Sequence, residues 1–153
     1  MGMDVYGKDP TSDVGHRFRA SVWWWHPLWD YCCAVYEPCN RISGHTNDGE
    51  GLNEWHSRKL SARLNKLVEN GEAQAYIAIR DAELAALPNK VCNICKGTGR
   101  RLEAPNVGPG NVPCNGCKET GSVDDFRKHY KLDLETIKEF AAFLWACGGF
   151  EIC

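Results

Sequence analysis

The sequence predicts a mainly α-helical domain with a small cysteine-rich hairpin insert, which together make an α+β fold. Three observations lead to this prediction. Large apolar residues recur at helical spacing in several segments, two Cys-x-x-Cys pairs lie close together, and short apolar segments stand near both ends. With 153 residues, 43% of them hydrophobic, the chain is long enough to bury a core as one domain.

The N-terminal part is predicted to hold a short strand and then a helix. Residues 3–6 form an apolar element, and turn formers fill residues 7–15. From Phe18 to Tyr36 large residues recur in steps of four and three, which is the spacing of one helix face. Pro27 interrupts this face, so we expect either a kink or a second helix with Pro27 in its first turn.

Two helices are predicted in the middle of the chain, after a polar loop over residues 38–51 that contains Asn47-Asp48-Gly49. The first is amphipathic and ends near Asn70-Gly71. The second covers the alanine-rich residues 72–87 and is stopped by Pro88. The apolar face of the amphipathic helix that ends near Asn70-Gly71 is predicted to consist of Leu52, Trp55, Leu60, Leu64, Leu67 and Val68.

A last helix is predicted after Asp133, which can cap its N-terminus, and Gly148 and Gly149 end it. Residues 150–153 alternate in polarity and could pair with residues 3–6, which would tie the two termini together. The domain boundaries follow as residues 1–88 plus 122–153 for the helical domain and 89–121 for the insert. The apolar face of the last helix is predicted to be Ile137, Phe140, Ala141, Leu144 and Trp145.

The insert carries two related motifs. They read Cys92-Asn-Ile-Cys95-Lys-Gly97-Thr-Gly99 and Cys114-Asn-Gly-Cys117-Lys-Glu119-Thr-Gly121. Two intervening residues let one tight turn present both thiolates of a pair, and two such turns complete a tetrahedron. We therefore predict a zinc-knuckle β-hairpin insert with one structural zinc ion, because four sulfur ligands leave no position for an activated water. Its ligands are Cys92, Cys95, Cys114 and Cys117.

Glycines after each pair let the backbone adopt positive φ, so that amide groups can approach the negative thiolates. Gly97 and Gly99 fit this role, whereas the second copy has Glu119 in place of the first glycine. Residues 100–113, which include Val107-Gly-Pro-Gly110, are predicted to form a hairpin-like loop that the metal holds in place.

The two motifs resemble the CxxCxGxG repeats of DnaJ-type co-chaperones over about a fifth of the chain. Those proteins carry four repeats and bind two zinc ions, so two repeats imply one ion here. A J domain also needs His-Pro-Asp, whereas this chain has His26-Pro27-Leu28, so stimulation of a chaperone ATPase is not implied.

The chain as a whole resembles a group of small uncharacterised proteins found in bacteria and their phages. The resemblance lies in residues 1–7, the tryptophan-rich segment, the Asn-Asp-Gly turn and residues 148–153. It implies a phage accessory role or the countering of a host defence.

Two groups of residues are candidates for contact with a partner. Adjacent helical residues point about 100° apart, so the run from Trp23 to Trp25 cannot all face the core. Core packing is the favoured interpretation of the tryptophans, with Trp23 and Trp24 as candidates for protein contact or base stacking. Arg100 and Arg101 could contact phosphate, although a solvated surface is favoured.

Charge gives little support for nucleic-acid binding. The formal net charge is −2 with pI near 6.2. The insert holds five Lys or Arg against two Glu, a balance of +3, and zinc with four thiolates lowers it to about +1.

The remaining polar clusters are interpreted as structural. Nine cysteines, an odd number, do not suit a disulfide framework in a reducing cytosol. A second metal site at Cys32, Cys33, Cys39 and His45 is an alternative to buried free thiols, which we favour; Cys147 and Cys153 are expected to be packed or reduced. His56 with Glu54, and His129 with Asp124 and Asp125, are interpreted as ordinary surface groups, since no nucleophile motif or phosphate-binding glycine loop accompanies them.

The sequence therefore predicts a soluble, cytoplasmic, non-enzymatic protein without a signal peptide, a membrane span or a small-molecule substrate. We expect it to act by protein–protein interaction. Two alternatives stay open: a nucleic-acid-binding accessory protein and a thiol-redox or chaperone-like factor.

Overall fold

A computed structural model describes residues 2–153 and shows an α+β fold, with four α-helices and small antiparallel sheets in this part of the chain. The helices are α1 (Val22–Val35), α2 (Glu54–Glu69), α3 (Glu72–Ala85) and α4 (Leu134–Ala146). The strands are β1 (Gly2–Gly7), β2 (Arg17–Ser21), β3 (Lys90–Val91), β4 (Arg100–Arg101), β5 (Val112–Pro113), β6 (Ser122–Val123) and β7 (Phe150–Ile152).

The chain divides into two compact units. One consists of the residues up to Asp81 together with His129–Cys153, and the other is Ala82–Lys128. The second unit contains all of the predicted insert 89–121 and extends beyond it on both sides.

The two ends of the chain pair in one sheet, as the alternating terminal segments predicted. The sheet has the order β2-β1-β7 and all its pairs are antiparallel. Val5 lies opposite Ile152 and Gly7 opposite Phe150. Beyond the last pair, the Cys153 amide donates to the Asp4 carbonyl over 2.8 Å.

The predicted start of the first helix at Phe18 is wrong, because residues 17–21 form the edge strand β2 and Phe18 lies opposite Val5. Polar and apolar residues alternate from Arg17 to Ser21, and this period of two prevails over the spacing of the large side chains. The helix begins at Val22 and no second helix starts at Pro27.

Pro27 lies inside α1 and has no N–H to give to the carbonyl of Trp23, one turn earlier. The backbone amide of Lys131 donates to that carbonyl instead, over 2.9 Å. The missing helical hydrogen bond is therefore replaced from elsewhere in the same unit.

The helix cap at Asp133 and the break between helices at Gly71 are as predicted. The Asp133 side chain accepts from the Thr136 amide over 2.8 Å at the start of α4. Gly71 has φ +82° between the end of α2 and the start of α3.

The helical core is built on packed tryptophans and on contacts between α2 and α4. Trp25 and Trp29 stack with ring centroids 5.6 Å apart, and the Trp25 indole donates to the Gly44 carbonyl over 2.7 Å. Buried Ser61 on α2 donates to the Ala141 carbonyl of α4 over 2.6 Å.

Two tryptophans assigned to apolar helix faces are exposed instead, Trp55 by 61% and Trp145 by 57%. Trp55 lies two residues, about 200°, from the buried position of Ser57, so it points away from the core. Trp145 lies about 100° from buried Leu144, at the margin of its face. The three-to-four-residue spacing of apolar residues predicted both tryptophans on buried faces, and their exposure corrects that prediction.

Candidate metal centre

Four cysteine side chains meet in the second unit. Their Sγ atoms all lie within 4.8 Å of one another and all four residues are buried. The Sγ atoms of Cys92 and Cys114 are 3.9 Å apart, and those of Cys95 and Cys117 are 3.7 Å apart. A tetrahedral ion with metal–sulfur bonds of about 2.3 Å requires sulfurs about 3.8 Å apart. The four cysteines are therefore close enough to hold a metal ion, and within residues 2–153 no other group of three or more His, Cys, Asp or Glu side chains is so placed.

The two motifs have the same local structure. The Gly99 amide donates to the Cys95 thiol and the Gly121 amide to the Cys117 thiol, each over 3.3 Å. In each copy the threonine hydroxyl also lies within hydrogen-bond distance of the second cysteine's carbonyl, at 2.9 Å for Thr98 and 2.6 Å for Thr120. The same backbone turn thus presents a pair of sulfurs twice.

Hydrogen bonds join the two copies reciprocally. The Cys92 amide donates to the Gly121 carbonyl over 2.9 Å, and the Cys114 amide donates to the Gly99 carbonyl over 3.0 Å. Strand β3 before the first copy pairs with β6 after the second, and β4 pairs with β5. These hydrogen bonds and strand pairs place the two sulfur pairs against each other.

Two glycines are required by both conformation and space. Gly99 and Gly121 each have φ +75°. A Cβ added at Gly99 would lie 2.2 Å from the Glu119 carbonyl oxygen, and one at Gly121 would lie 2.2 Å from the Gly97 carbonyl oxygen. Glu119, which replaces the first glycine of the motif, adopts the same left-handed region with φ +65°. The departure from the motif is accommodated, although this conformation is unfavourable for a residue with a Cβ.

The environment of the sulfurs favours thiolate at one position of the cluster. Burial raises the pKa of Cys95, but the amides of Gly99 and Gly97 and the neighbouring thiols outweigh it and lower the pKa to about 6. Burial raises the pKa of Cys117 to about 11, against the opposing effect of the Gly121 amide. Amides aimed at sulfur are the groups that stabilise a metal thiolate.

A loop between the two copies folds back onto the first one. The Gly108 amide donates to the Ile94 carbonyl over 2.9 Å, and Gly110 donates to the Arg100 carbonyl over 3.2 Å. The loop leaves three apolar side chains in solvent, with exposures of 42%, 57% and 37% for Leu102, Val107 and Val112. We call residues 100–113 the finger.

The two arginines that are candidates for contact with a partner make hydrogen bonds within their own unit. Arg100 donates from Nη2 to the Asn111 carbonyl over 3.0 Å and lies 3.8 Å from the Glu119 carboxylate. Arg101 donates to the Asn115 side chain over 3.2 Å and from Nε to its neighbour's carbonyl over 3.0 Å. Their guanidinium groups brace the finger.

Trp23 and Trp24, the tryptophans that are candidates for contact with a partner, lie at the start of α1. Trp23 is 42% exposed, and its ring contacts the rings of His129 and Tyr130 at centroid distances of 6.0 and 5.0 Å. Trp24 is half-buried, and both line a groove of about 470 Å³ with Ser21 and His129. Trp55 and Trp145 are more exposed than either, although their spacing predicted them on apolar helix faces.

The residues of the alternative second metal site do not assemble into one within the described residues. His45 lies instead with His26, their Nδ1 atoms 2.8 Å apart, and its Nε2 lies 3.0 Å from the Asp30 carboxylate. Burial, with a smaller contribution from Cys33, raises the pKa of Cys39 to about 12, and burial also raises the pKa of the Cys32 thiol. Both thiols are therefore protonated at neutral pH.

Comparison of the chain with protein-family models, with curated proteins and with solved structures gives no match. Among the helices of the described residues, none has the length and apolar character needed to cross a lipid bilayer.

Proposed function

We propose that Cys92, Cys95, Cys114 and Cys117 hold one structural zinc ion, which stabilises a zinc knuckle whose finger binds another protein. The observation that carries the first part is the match between the sulfur separations of 3.7 and 3.9 Å and the edge of a zinc–sulfur tetrahedron. Four thiolates in a tetrahedron are characteristic of zinc or of iron–sulfur chemistry. A closed shell of four sulfurs gives the ion a structural role, because no ligand position is left for substrate or water. On this proposal the protein is not an enzyme.

Exposed apolar side chains on the finger support a protein partner. Leu102, Val107 and Val112 are all more than a third exposed although the loop that carries them is tied down at Gly108 and Gly110. A rigid apolar surface loses little conformational entropy on binding, which favours association.

Binding of nucleic acid is less well supported by the same unit. Phosphate recognition needs accessible cationic donors, and Arg100 and Arg101 each give part of their guanidinium donors to acceptors of their own unit. The proposed zinc with its four thiolates further reduces the positive charge of the insert.

The proposal extends to a phage accessory protein or an inhibitor of a host defence in the cytoplasm. The resemblance to small bacterial and phage proteins is the support for this setting.

The test is capture of partners from a bacterial lysate in high salt, with zinc-loaded protein as bait. The finger variant Leu102→Ser with Val107→Ser should lose the captured protein. Ile79→Ser, at a side chain 63% exposed in the helical unit, is the matched control and should retain it. Equal capture by both variants, or capture that salt abolishes, would contradict the proposal.

A further inference from the structure

The outer faces of α2 and α4 carry aromatic and cationic side chains that the core does not use. The Arg58 guanidinium lies 5.5 Å from the ring centroid of Trp145, and the Lys59 ammonium lies 5.5 Å from that of Trp55. Trp55 and Arg58 are three residues apart and so lie on the same side of α2. The two exposed tryptophans and the two cations therefore form one surface across the two helices.

A groove of about 320 Å³ adjoins this surface at Trp145. Its lining is mostly small or apolar and includes Val14, which is 54% exposed. This volume is at the lower end for a ligand pocket and suits one or two large side chains. The lining residues are Ser12, Val14, Asn65, Lys138, Ala141, Ala142, Trp145 and Ala146.

The charge of the surface indicates what it would accept. Lys138 is the one charged residue that lines the groove within the described part of the chain. Arg58 and Lys59 lie against the rings of Trp145 and Trp55, and Glu54 pairs with Arg58 over 3.0 Å. Asp13 lies between the lining residues Ser12 and Val14. Three cations therefore stand against two anions, a small positive excess. Exposed Trp and Arg are the residue types that dominate binding hot spots. A segment of a partner protein that carries acidic side chains complements this charge.

We propose that this surface, formed by Trp55, Arg58, Trp145 and the groove, docks an acidic amphipathic helix of a protein partner. A large apolar side chain of that helix enters the groove, and carboxylates on its flanks face Lys138 and Arg58. The groove is lined by side chains and offers no strand edge, which suits a helix rather than an added strand. This inference does not depend on the finger or on the metal.

The test uses two short helical peptides with the same Leu and Phe face, one flanked by Glu and the other by Lys. Each is titrated into zinc-loaded protein and followed by calorimetry and by the NMR signal of the Trp145 indole N–H. The Glu peptide should bind roughly tenfold more tightly than the Lys peptide. Trp145→Ala should weaken its binding at least about tenfold, whereas Ile79→Ala, at a side chain 63% exposed on α3, should leave it unchanged.

Reversal of the charge at Lys138 is the second test of the inference. Lys138→Glu should reduce the preference for the Glu peptide by about fivefold, because each exposed ion pair contributes modestly. Equal binding of the two peptides, or full binding to Trp145→Ala, would overturn the inference. The finger variant Leu102→Ser with Val107→Ser should bind the Glu peptide normally; loss of binding in that variant would also overturn it. Failure here leaves the capture experiment on the finger unaffected, so the two proposals are tested separately.

Discussion

Replacing Gly99 by alanine should weaken metal binding while leaving the helical unit folded. Gly99 has φ +75°, its amide donates to the Cys95 thiol over 3.3 Å, and its carbonyl accepts from the Cys114 amide over 3.0 Å. A methyl group at this position would lie 2.2 Å from the Glu119 carbonyl oxygen. One substitution therefore disturbs both sulfur pairs at once.

The magnitude has two parts. A residue with a Cβ in the left-handed region costs about 1–2 kcal/mol. In addition, the Glu119 carbonyl must move by roughly 1 Å to reach an ordinary carbon–oxygen separation. That movement displaces the amides that support the sulfurs, and loss of such outer contacts typically lowers metal affinity about 10–100-fold.

The assay is competition for zinc against a chromophoric chelator. Gly49→Ala is the matched control, because Gly49 has φ +79° but no atom within 4 Å of its added Cβ. The control should lose about 1–2 kcal/mol of stability in the helical unit and none of its zinc affinity. Wild-type zinc affinity in Gly99→Ala, or an equal loss in Gly49→Ala, would refute the reasoning.

Three further predictions follow from the same structure. Glu119→Gly should raise the stability of the metal-loaded unit by roughly 0.5–1 kcal/mol, since it relieves a left-handed glutamate at φ +65°; an unchanged or lower thermal midpoint would contradict this. Gly44→Ala should destabilise the helical unit by roughly 2–3 kcal/mol in urea unfolding, because its Cβ would lie 2.0 Å from the buried Trp29 ring; a loss under about 0.5 kcal/mol would show that the ring can move aside. Burial, and to a smaller extent Cys33, raises the pKa of Cys39 from 9.0 to about 12, so the folded state holds a proton that the unfolded chain releases. The free energy of unfolding of the reduced protein should therefore be insensitive to this group below pH 9 and fall as the pH rises from 9 toward 12, and Cys39→Ala should reduce that slope.

The features that could be predicted from the sequence depend on local rules. The spacing of Cys92 and Cys95 and of their counterparts is dictated by one tight turn, so the cluster follows from the motif. The cap at Asp133 and the break at Gly71 are likewise determined within a few residues. Terminal pairing was predictable because alternation over residues 150–153 matches a strand that needs a partner.

The features that sequence reasoning missed depend on neighbours distant along the chain. Strand β2 is an edge strand whose pairing with β1 overrides a helix-like spacing at Phe18. The positions of the Arg100 and Arg101 guanidinium groups also depend on their neighbours, since the Asn111 carbonyl and the Asn115 side chain accept their hydrogen bonds. Contact of these arginines with a partner stays a prediction.

X-ray absorption on reduced, purified protein, combined with elemental analysis, tests the metal centre most directly. We predict one zinc per chain, with four sulfur neighbours at about 2.3 Å and no nitrogen or oxygen in the first coordination sphere. Protein that folds without stoichiometric metal, or a zinc with fewer than four sulfurs, would contradict the assignment.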